Sequence, residues 1–259
     1  MGTDRKVALV TGGGSGIGAA SALELARSGS DVVITDVRGD DLARVAGEIR
    51  ALGREAVPVL CDVGDEMAMA VLFEDVKQRF GRIDQVLVNA GINGMWAPIE
   101  DMTPAEWDAT IRTNLRGSFL TIHHAVPLMQ EHGGSIVIIS SINGTRTFTT
   151  AGATAYSVTK AGQFAMGQML ALELARYKIR VNVICPGAIQ TRISENTWRR
   201  NAEAARIAAV YPDGTIPLTK GVRGTPEDIA QTVAFLCSDA AKHITGTPIW
   251  VDGGQSLLI

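Results

Sequence analysis

The chain has 259 residues, of which 46% are hydrophobic and 20% are charged, and its formal net charge is −3. This length and apolar fraction suffice for a sizeable core, and α/β sheets of this size commonly form one domain. The slightly negative charge gives no reason to expect binding to nucleic acid or to an anionic membrane. No apolar run approaches the roughly 18 residues of a membrane span, and the start of the chain lacks a signal-peptide pattern. We therefore expect a single cytoplasmic domain spanning residues 1–259.

Short β-branched runs alternate with longer helical patterns along the chain. In chain order, the predicted elements are strand 6–10, helix 16–28, strand 31–35, helix 40–52, strand 56–60, helix 65–80, strand 85–88, a mostly helical segment 104–131, strand 135–139, helix 155–175, strand 180–184, helix 225–238 and strand 248–251. The strands are continuous apolar runs, which is typical of sheets covered on both faces. The pattern predicts an α/β fold: a doubly wound, Rossmann-like parallel sheet of about seven strands with helices on both faces.

The three cysteines have no spacing that suggests a metal site or a redox pair. Cys61 ends an apolar run, Cys185 precedes a proline, and Cys237 lies on a predicted helix. We expect buried free thiols in a reducing compartment, and we predict no metal site.

A glycine-rich turn follows the first strand and opens the first helix. Its glycines allow a tight turn and let the backbone approach a pyrophosphate, while the helix N-terminus supplies amide donors. The spacing is G-x-x-x-G-x-G rather than the common G-x-G-x-x-G, so a flexible turn remains an alternative. The candidate cofactor-binding residues in it are Gly12, Ser15, Gly16, Ile17 and Gly18.

Asp36 follows the second strand, 18 residues after Gly18. A carboxylate at this position can accept hydrogen bonds from the adenosine ribose hydroxyls of a dinucleotide, and its charge would repel a 2′-phosphate. Arg38 lies nearby and suits phosphate, which would soften that discrimination. The position predicts NAD rather than NADP as cofactor, with a helix-capping or turn residue as the alternative role of Asp36.

Two further strand ends fit the same cofactor. Asp62 and Val63 follow the third strand, where a carboxylate can meet an adenine amino group. Asn89, Ala90 and Gly91 follow the fourth strand, where small residues permit close approach. Either loop alone also fits an ordinary turn at a strand end.

Tyr156 and Lys160 lie four residues apart on a predicted helix and so share one face. A phenol has a pKa of about 10, and a nearby cation favours the phenolate, so Tyr156 is a candidate proton acceptor for an alcohol. Ser140 and Ser141 end the preceding strand at the same edge of the sheet. A solvated helix face and a polar strand end are the alternatives for these residues.

In this order and spacing, the motifs resemble those of the short-chain dehydrogenase/reductase family. The matching residues run over nearly the whole chain: Thr11–Gly18, Asp62-Val63, Asn89-Ala90-Gly91, Thr113-Asn114, Ser140-Ser141, Tyr156-x-x-x-Lys160, Pro186-Gly187 with Thr191, and Val251–Gly254.

The resemblance implies a role for each matching residue. Tyr156 would be the general acid/base, Lys160 would bind the nicotinamide ribose and lower the Tyr156 pKa, and Ser141 would bind the substrate oxygen. Asn114 would hold a water that links Lys160 to solvent. The residues expected around the nicotinamide are Tyr156, Lys160, Pro186, Gly187, Ile189 and Thr191. The family usually forms homotetramers, with the segment Val251–Ile259 at one interface.

One spacing departs from the family. Ser141 and Tyr156 are 15 residues apart, where the family usually has 13. The extra length is expected in residues 145–153, a threonine-rich loop that would border the substrate.

Residues 192–224 lack a clear strand and resemble the family's mobile lid over the substrate. They contain charged and aromatic side chains: Arg192, Glu195, Trp198, Arg199, Arg200, Arg206 and Tyr211. An arginine here would suit a carboxylate or phosphate on the substrate, although a solvated charge is the alternative for each one. Met95, Trp96 and Phe148 are candidates for the opposite wall. This mixture suits a polyol, a sugar or a hydroxy acid at least as well as a steroid.

The sequence thus predicts an NAD(H)-dependent oxidoreductase that transfers a hydride between nicotinamide and a small-molecule secondary alcohol or carbonyl compound. An NADPH-dependent carbonyl or 3-ketoacyl reductase is the first alternative, with Asp36 as the main argument against it. A non-catalytic dinucleotide-sensing protein is the second, and the complete set of Asn114, Ser141, Tyr156 and Lys160 argues against that.

Overall fold

The computed structural model describes residues 5–208 and 216–258, and it contains a large parallel sheet. The strands of this sheet are β1 (Val7–Thr11), β2 (Asp31–Asp36), β3 (Ala56–Leu60), β4 (Gln85–Val88), β6 (Gly134–Ile139), β7 (Ile179–Pro186) and β9 (Pro248–Val251), and the shorter strands β5 (Gly94–Trp96) and β8 (Thr197–Arg199) pair separately. The helices are α1 (Gly16–Arg27), α2 (Gly39–Ala51), α3 (Glu66–Phe80), α4 (Pro104–Thr110), α5 (Gly117–Met129), α6 (Thr154–Glu173) and α7 (Pro226–Cys237).

The seven strands lie in the order β3-β2-β1-β4-β6-β7-β9, and every neighbouring pair is parallel. The chain therefore winds outward from β1 in one direction and from β4 in the other. The crevice between β1 and β4, at their carboxyl ends, is the switch point where doubly wound sheets bind ligands. The predicted fold class is confirmed.

Two separate apolar clusters cover the two faces of the sheet. One contains side chains of α1, α2 and α7, including Ala22, Leu42 and Ile229, and the other contains side chains of α3 and α5, including Leu72 and Leu120. All residues of β1 and β4 are buried. Because each fully buried aliphatic side chain contributes about 1.5–3 kcal/mol, these central strands form a rigid base for the loops at their ends.

The segment predicted as mostly helical consists of three parts. Helix α4 begins with a capping box, in which Thr103 Oγ1 accepts a hydrogen bond from Glu106 N and the Glu106 carboxylate accepts one from Thr103 N. A π-helical turn, Ile111–Arg116, then joins α4 to α5. Such π-turns leave backbone carbonyls free for other partners, and they are frequent at functional sites.

The expectation that residues 192–224 lack a strand was wrong, because Thr197–Arg199 forms β8. This strand pairs in parallel with β5 and brings Arg199 opposite Trp96. Its three residues are too few for a periodic pattern, which is why the sequence did not reveal it. Tyr211 lies outside the described residues.

The three cysteines are buried, as expected, and they are free in the structure. In the part of the chain that the structure describes, no helix is long and apolar enough to cross a membrane.

Candidate active site

The glycine turn after β1 is closed so tightly that larger residues do not fit. Gly12 and Gly16 have φ angles of 65° and 51°, in the left-handed region that favours glycine. A Cβ atom on Gly18 would lie 2.0 Å from the carbonyl oxygen of Gly12. The backbone of this turn can therefore approach a diphosphate closely, with the N-terminus of α1 directly behind it.

The side chains of Thr11 and Asn89 hold this turn through hydrogen bonds between it and the residues that follow β4. Thr11 Oγ1 accepts hydrogen bonds from the amides of Asn89 and Ala90, at 3.0 and 3.2 Å. Asn89 Nδ2 donates to the carbonyl oxygens of Thr11 and Gly12, at 3.0 and 3.2 Å. The predicted cofactor residue Asn89 thus also binds β4 to the glycine turn across the switch point.

The Asp36 carboxylate lies at the end of β2 beside the glycine turn. It accepts hydrogen bonds from the amides of Gly14, Val37 and Arg38, at 3.1, 2.8 and 3.2 Å. Because an ionised carboxylate has about four acceptor positions, roughly one remains for a ligand hydroxyl. Asp36 therefore holds this turn together and also lines the cleft, where about one acceptor position is left for a ligand.

Arg38 is held by carboxylates. Its Nη1 atom lies 2.8 Å from Glu195 Oε2 in the lid segment, residues 192–224, and its Nε atom lies 3.6 Å from Asp41 Oδ2. The hydrogen bond to Glu195 is the main reason that the pKa of Arg38 is raised. Arg192 forms a second ion pair between the lid segment and Asp41. These contacts bring residues 192–195 against the start of α2.

The predicted cofactor residues come together at the carboxyl edge of the sheet. A cleft of about 530 Å³ is lined by Gly12, Ser15, Gly16, Ile17, Asp36, Asp62, Val63, Asn89, Ala90, Gly91 and Thr191, and an adjoining cavity of about 340 Å³ is lined by Ser141, Tyr156, Lys160, Pro186, Gly187 and Ile189. Gly18 and Asn114 line neither, since Gly18 supports the turn and Asn114 is fully buried behind the cavity. A glycine turn at a helix N-terminus, with a carboxylate after the next strand, fits a dinucleotide cofactor.

Tyr156 reaches the cavity from the first turn of α6 and is 8% exposed. Burial raises the pKa of Tyr156 to about 12, and a hydrogen bond with Ser141 partly opposes that rise. The direction is opposite to the lowered pKa that the motif suggested. The reason is that removal of the phenol from water disfavours its charged form.

Lys160 lies one turn further along α6 and is 4% exposed. Its ammonium group donates to the carbonyl oxygen of Ile139 at 2.9 Å and to Gln163 Oε1 at 2.8 Å, and it lies 5.5 Å from the centre of the Tyr156 ring. Burial lowers the pKa of Lys160 to about 8. The lysine is thus close to Tyr156, as predicted, but its charge is itself costly in this environment.

Asn114 lies in the π-helical turn, and its side chain fixes the loop after β4. Its Oδ1 atom accepts from the amide of Ile92 and its Nδ2 atom donates to the Ile92 carbonyl, both at 2.8 Å. A further hydrogen bond of 3.1 Å runs to Thr159 Oγ1. The side-chain amide of Asn114 therefore holds this loop, and its backbone carbonyl accepts hydrogen bonds from Gln163 and Ser118.

Gln163 links that carbonyl to Lys160 and was not identified from the sequence. Its Nε2 atom donates to the Asn114 carbonyl at 3.0 Å and to Ser118 Oγ at 2.7 Å, while its Oε1 atom accepts from Lys160. A buried amide thus connects Lys160 to the Asn114 carbonyl. Its position three residues after Lys160, on the same helix face, was the only signal in the sequence.

The two serines after β6 have different environments. Ser140 Oγ donates to the Lys160 carbonyl at 2.7 Å and so binds β6 to α6. Both serines line the cavity, but the Ser141 hydroxyl is hydrogen-bonded to Tyr156 and accepts from the Asn143 amide at 3.1 Å. This difference agrees with the choice of Ser141 over Ser140 as the catalytic candidate.

The loop between Ser141 and Tyr156 contributes polar groups to the same cavity. Asn143, Thr147 and Thr150 line it, and Thr150 Oγ1 donates to Asn143 Oδ1 at 2.9 Å. The predicted border between this loop and the cavity therefore exists. Phe148 is 73% exposed and is absent from the cavity wall.

The other candidate wall residues divide between two pockets. Trp96 lines the cavity with Tyr156, whereas Met95 and Trp198 line a neighbouring apolar pocket. Asn93, Arg199 and Arg223 also face the Tyr156 cavity. Asn93 and Arg223 had no motif to mark them in the sequence.

Known proteins resemble the chain over almost its entire length. A family model described as Enoyl-(Acyl carrier protein) reductase matches residues 12–256. The levodione reductase of Leifsonia aquatica is 38% identical, with coverage of 98% of this chain and 95% of that protein. Among solved structures, a 3-ketoacyl-ACP reductase from Sinorhizobium meliloti 1021 has a TM-score of 0.94 and 52% identity, covering 98% of this chain and 100% of that chain.

A second solved structure is a 3-ketoacyl-(acyl-carrier-protein) reductase from Brucella melitensis, complexed with NADH. Its TM-score is 0.84 and its identity is 32%, with coverage of 97% of this chain and 98% of that chain. The extent and identity of these matches, together with the geometry of the site, show that the chain belongs to the short-chain dehydrogenase/reductase family of oxidoreductases.

Proposed function

We propose that the chain is an NAD(H)-dependent oxidoreductase that transfers a hydride between nicotinamide and a secondary alcohol or the corresponding carbonyl compound. The observation that carries the proposal is a single cavity lined by Ser141, Tyr156 and Lys160, which adjoins a cleft lined by the glycine turn. Proton transfer and cofactor binding are thereby assigned to neighbouring parts of one crevice.

The preference for NAD rests on the charges at the end of β2. The Asp36 carboxylate lines the cleft, where it would repel a 2′-phosphate. Arg38, which would favour that phosphate, is paired with Glu195 and Asp41. The similarity to a reductase complexed with NADH agrees with this preference.

When bound, the cofactor supplies the hydride acceptor or donor, and the residues of the chain position the substrate and move its proton. In the oxidative direction, Tyr156 takes the proton of the substrate hydroxyl as the carbinol carbon loses its hydrogen as a hydride with two electrons. Ser141 donates a hydrogen bond to the same oxygen, which stabilises its developing negative charge. Lys160 holds the ribose and supplies the positive charge that favours the phenolate. Gln163 and the Ile139 carbonyl hold the ammonium in place.

An NADPH-dependent carbonyl or 3-ketoacyl reductase is the second candidate, and the names of the similar proteins favour it. The chain resembles a levodione reductase and two 3-ketoacyl reductases. The two candidates share the catalytic residues and differ in cofactor and in physiological direction. Equilibrium titration of the purified protein with NADH and NADPH separates them, since tighter binding of NADPH would contradict our preference.

Exchange of Tyr156 for phenylalanine tests the catalytic assignment. Tyr156→Phe removes the phenolic oxygen and keeps the ring, so NADH binding should stay within about 2-fold of wild type. Turnover should fall by about 100- to 10,000-fold, as expected for loss of a general acid/base. The measurement is NADH absorbance with a panel of polyols, sugars, hydroxy acids and cyclic alcohols. A variant with wild-type rates would exclude Tyr156 as the acid/base.

The organisation of the molecule is part of the same proposal. We propose one domain over residues 1–259, in which the lid segment, residues 192–224, covers a small-molecule substrate. The proposal that the chain forms a homotetramer rests on the family resemblance alone. Light scattering tests it by measuring the molar mass in solution.

A further inference from the structure

The catalytic cavity has a wall whose charges are all of one sign. Among residues 5–208 and 216–258, those that line it include three cations, Lys160, Arg199 and Arg223, and no aspartate or glutamate. Lys160 is occupied by the Ile139 carbonyl and by Gln163. The remaining positive charge faces the space that a substrate would occupy, so the cavity favours an anion.

Arg199, like Arg223, has no carboxylate partner among residues 5–208 and 216–258, and it differs in this from the arginines next to it in sequence. Its neighbours in the lid segment are paired: Arg192 with Asp41, Arg200 with Glu106, and Arg206 with Glu203. Arg199 instead lies over the ring of Trp96, with its guanidinium carbon 4.9 Å from the ring centre. These three ion pairs leave Arg199 and Arg223 as the arginines of the described lid segment without a carboxylate partner, and both line the cavity.

The position of Arg199 is fixed by the backbone. Strand β8 pairs in parallel with β5, which places Arg199 opposite Trp96, and the amide of Arg200 donates to the Trp96 carbonyl at 3.0 Å. The ion pair between Arg200 and Glu106 anchors the end of this strand to α4. A guanidinium that is stacked on an aromatic ring and held by a strand is pre-organised for a planar, bidentate partner such as a carboxylate.

The rest of the wall also fits a polar ligand. Thr147 lines the cavity and is 7% exposed, and its hydroxyl has no hydrogen-bond partner in the described part of the chain. Asn93, Asn143 and Thr150 add amide and hydroxyl groups. The glycine turn and Asp36 line the separate cleft, so Arg199 is not part of the diphosphate site.

We propose that Arg199 binds a carboxylate on the substrate, so that the enzyme acts on a hydroxy acid and the corresponding oxo acid. The inference rests on the proposed function, and it names the substrate class of the same site. Arg199 is a specificity-determining residue in it: the guanidinium orients the substrate through its carboxylate, while Ser141 and Tyr156 act on the carbinol at the other end.

The experiment uses a homologous series of hydroxy acids and their neutral methyl esters. β-Hydroxybutyrate, γ-hydroxyvalerate and δ-hydroxycaproate place the carboxylate at increasing distance from the same methyl carbinol. We expect kcat/KM for the best acid to exceed that for its ester by about 10-fold or more. Arg199→Met should lower kcat/KM for that acid by about 10- to 100-fold, mainly through KM, and leave the ester within about 3-fold.

Arg206→Met is the matched control, because it removes an arginine of the same segment that does not line the cavity. A second readout is calorimetric binding of each acid and ester to the NADH complex of Tyr156→Phe, with and without Arg199→Met. This measurement tests the inference even if turnover, and with it the proposed function, fails. Equal binding of acids and esters, or equal effects of Arg199→Met and Arg206→Met, would overturn the inference and leave the proposed hydride transfer intact.

Discussion

The ion pair between Arg38 and Glu195 leads to a prediction about cofactor choice. Both side chains are part-exposed, at 39% and 50%, and their nitrogen and oxygen atoms lie 2.8 Å apart. Exposed pairs of this kind contribute only about 0–1 kcal/mol to stability, so Glu195→Gln should leave the fold unchanged. The substitution removes the closer of the two carboxylates that hold Arg38 and leaves Asp41, so Arg38 becomes more available at the cleft that Asp36 lines.

The size of the effect follows from the charges. A phosphate with about −1.5 to −2 charges interacts with a guanidinium at a separation of about 4 Å by about 1 kcal/mol per charge in water. Glu195→Gln should therefore raise kcat/KM for NADP(H) by about 10- to 30-fold. The value for NAD(H), which has no 2′-phosphate, should change by less than about 2-fold. NAD(H) should remain the better cofactor, because Asp36 still repels the phosphate.

The assay is kcat/KM for both cofactors with one substrate at a saturating concentration. Glu203→Gln is the matched control, since it breaks the exposed pair of Glu203 with Arg206, whose atoms lie 3.3 Å apart, outside the cleft. The reasoning is refuted if NADP(H) activity rises no more in Glu195→Gln than in Glu203→Gln. If NAD(H) activity is lost as well, Glu195 positions the lid segment and does not determine the choice between NAD(H) and NADP(H).

Two further predictions concern the buried lysine. Burial lowers the pKa of Lys160 to about 8 from 10.5, so the unfolded chain binds the proton more tightly than the folded chain. The free energy of unfolding therefore falls as the pH falls from 10.5 toward 8. We compare the free energies of unfolding of wild type and Lys160→Met in urea titrations. The difference, wild type minus variant, should rise by about 2 kcal/mol from pH 8 to pH 10. Lys77→Met, at an exposed lysine, is the control, and a difference that does not change with pH would contradict the prediction. Gln163→Leu removes one hydrogen bond to the Lys160 ammonium, so the alkaline limb of the pH dependence of kcat should move down by about 1–2 pH units. If kcat falls but the limb does not move, Gln163 only supports packing.

The sheet and the cofactor loops were predictable because each strand is a continuous apolar run followed by small or polar residues. The predicted strand Gln85–Val88 matches β4, and the helix predicted from Thr225 begins with a capping box of Thr225 and Asp228. Because these strands are parallel, the carboxyl ends of β1, β2 and β4 can be placed at one edge of the sheet from the sequence alone.

The features that could not be predicted depend on tertiary packing. The π-helical turn at Asn114 has a helical pattern like its flanks, yet it contains the backbone carbonyl that accepts a hydrogen bond from Gln163. The sequence pattern of Gln163 is that of an ordinary helix residue, and its role depends on contacts with the π-helical turn and α5. The pairing of Arg38 with Glu195 joins residues 157 positions apart, and no local spacing reveals it.

The catalytic pair shows why the motif alone misjudged the pKa of Tyr156. The spacing of Tyr156 and Lys160 predicts that the two groups meet, and they do, but burial acts on both in opposite directions. With a lysine pKa of about 8 and a tyrosine pKa of about 12, the ammonium loses its charge before the phenol ionises. In the protein alone, Tyr156 is thus a poor proton acceptor at neutral pH. Further positive charge must favour the phenolate, and an oxidised nicotinamide ring carries such a charge. We therefore expect efficient proton transfer in the cofactor complex rather than in the free chain.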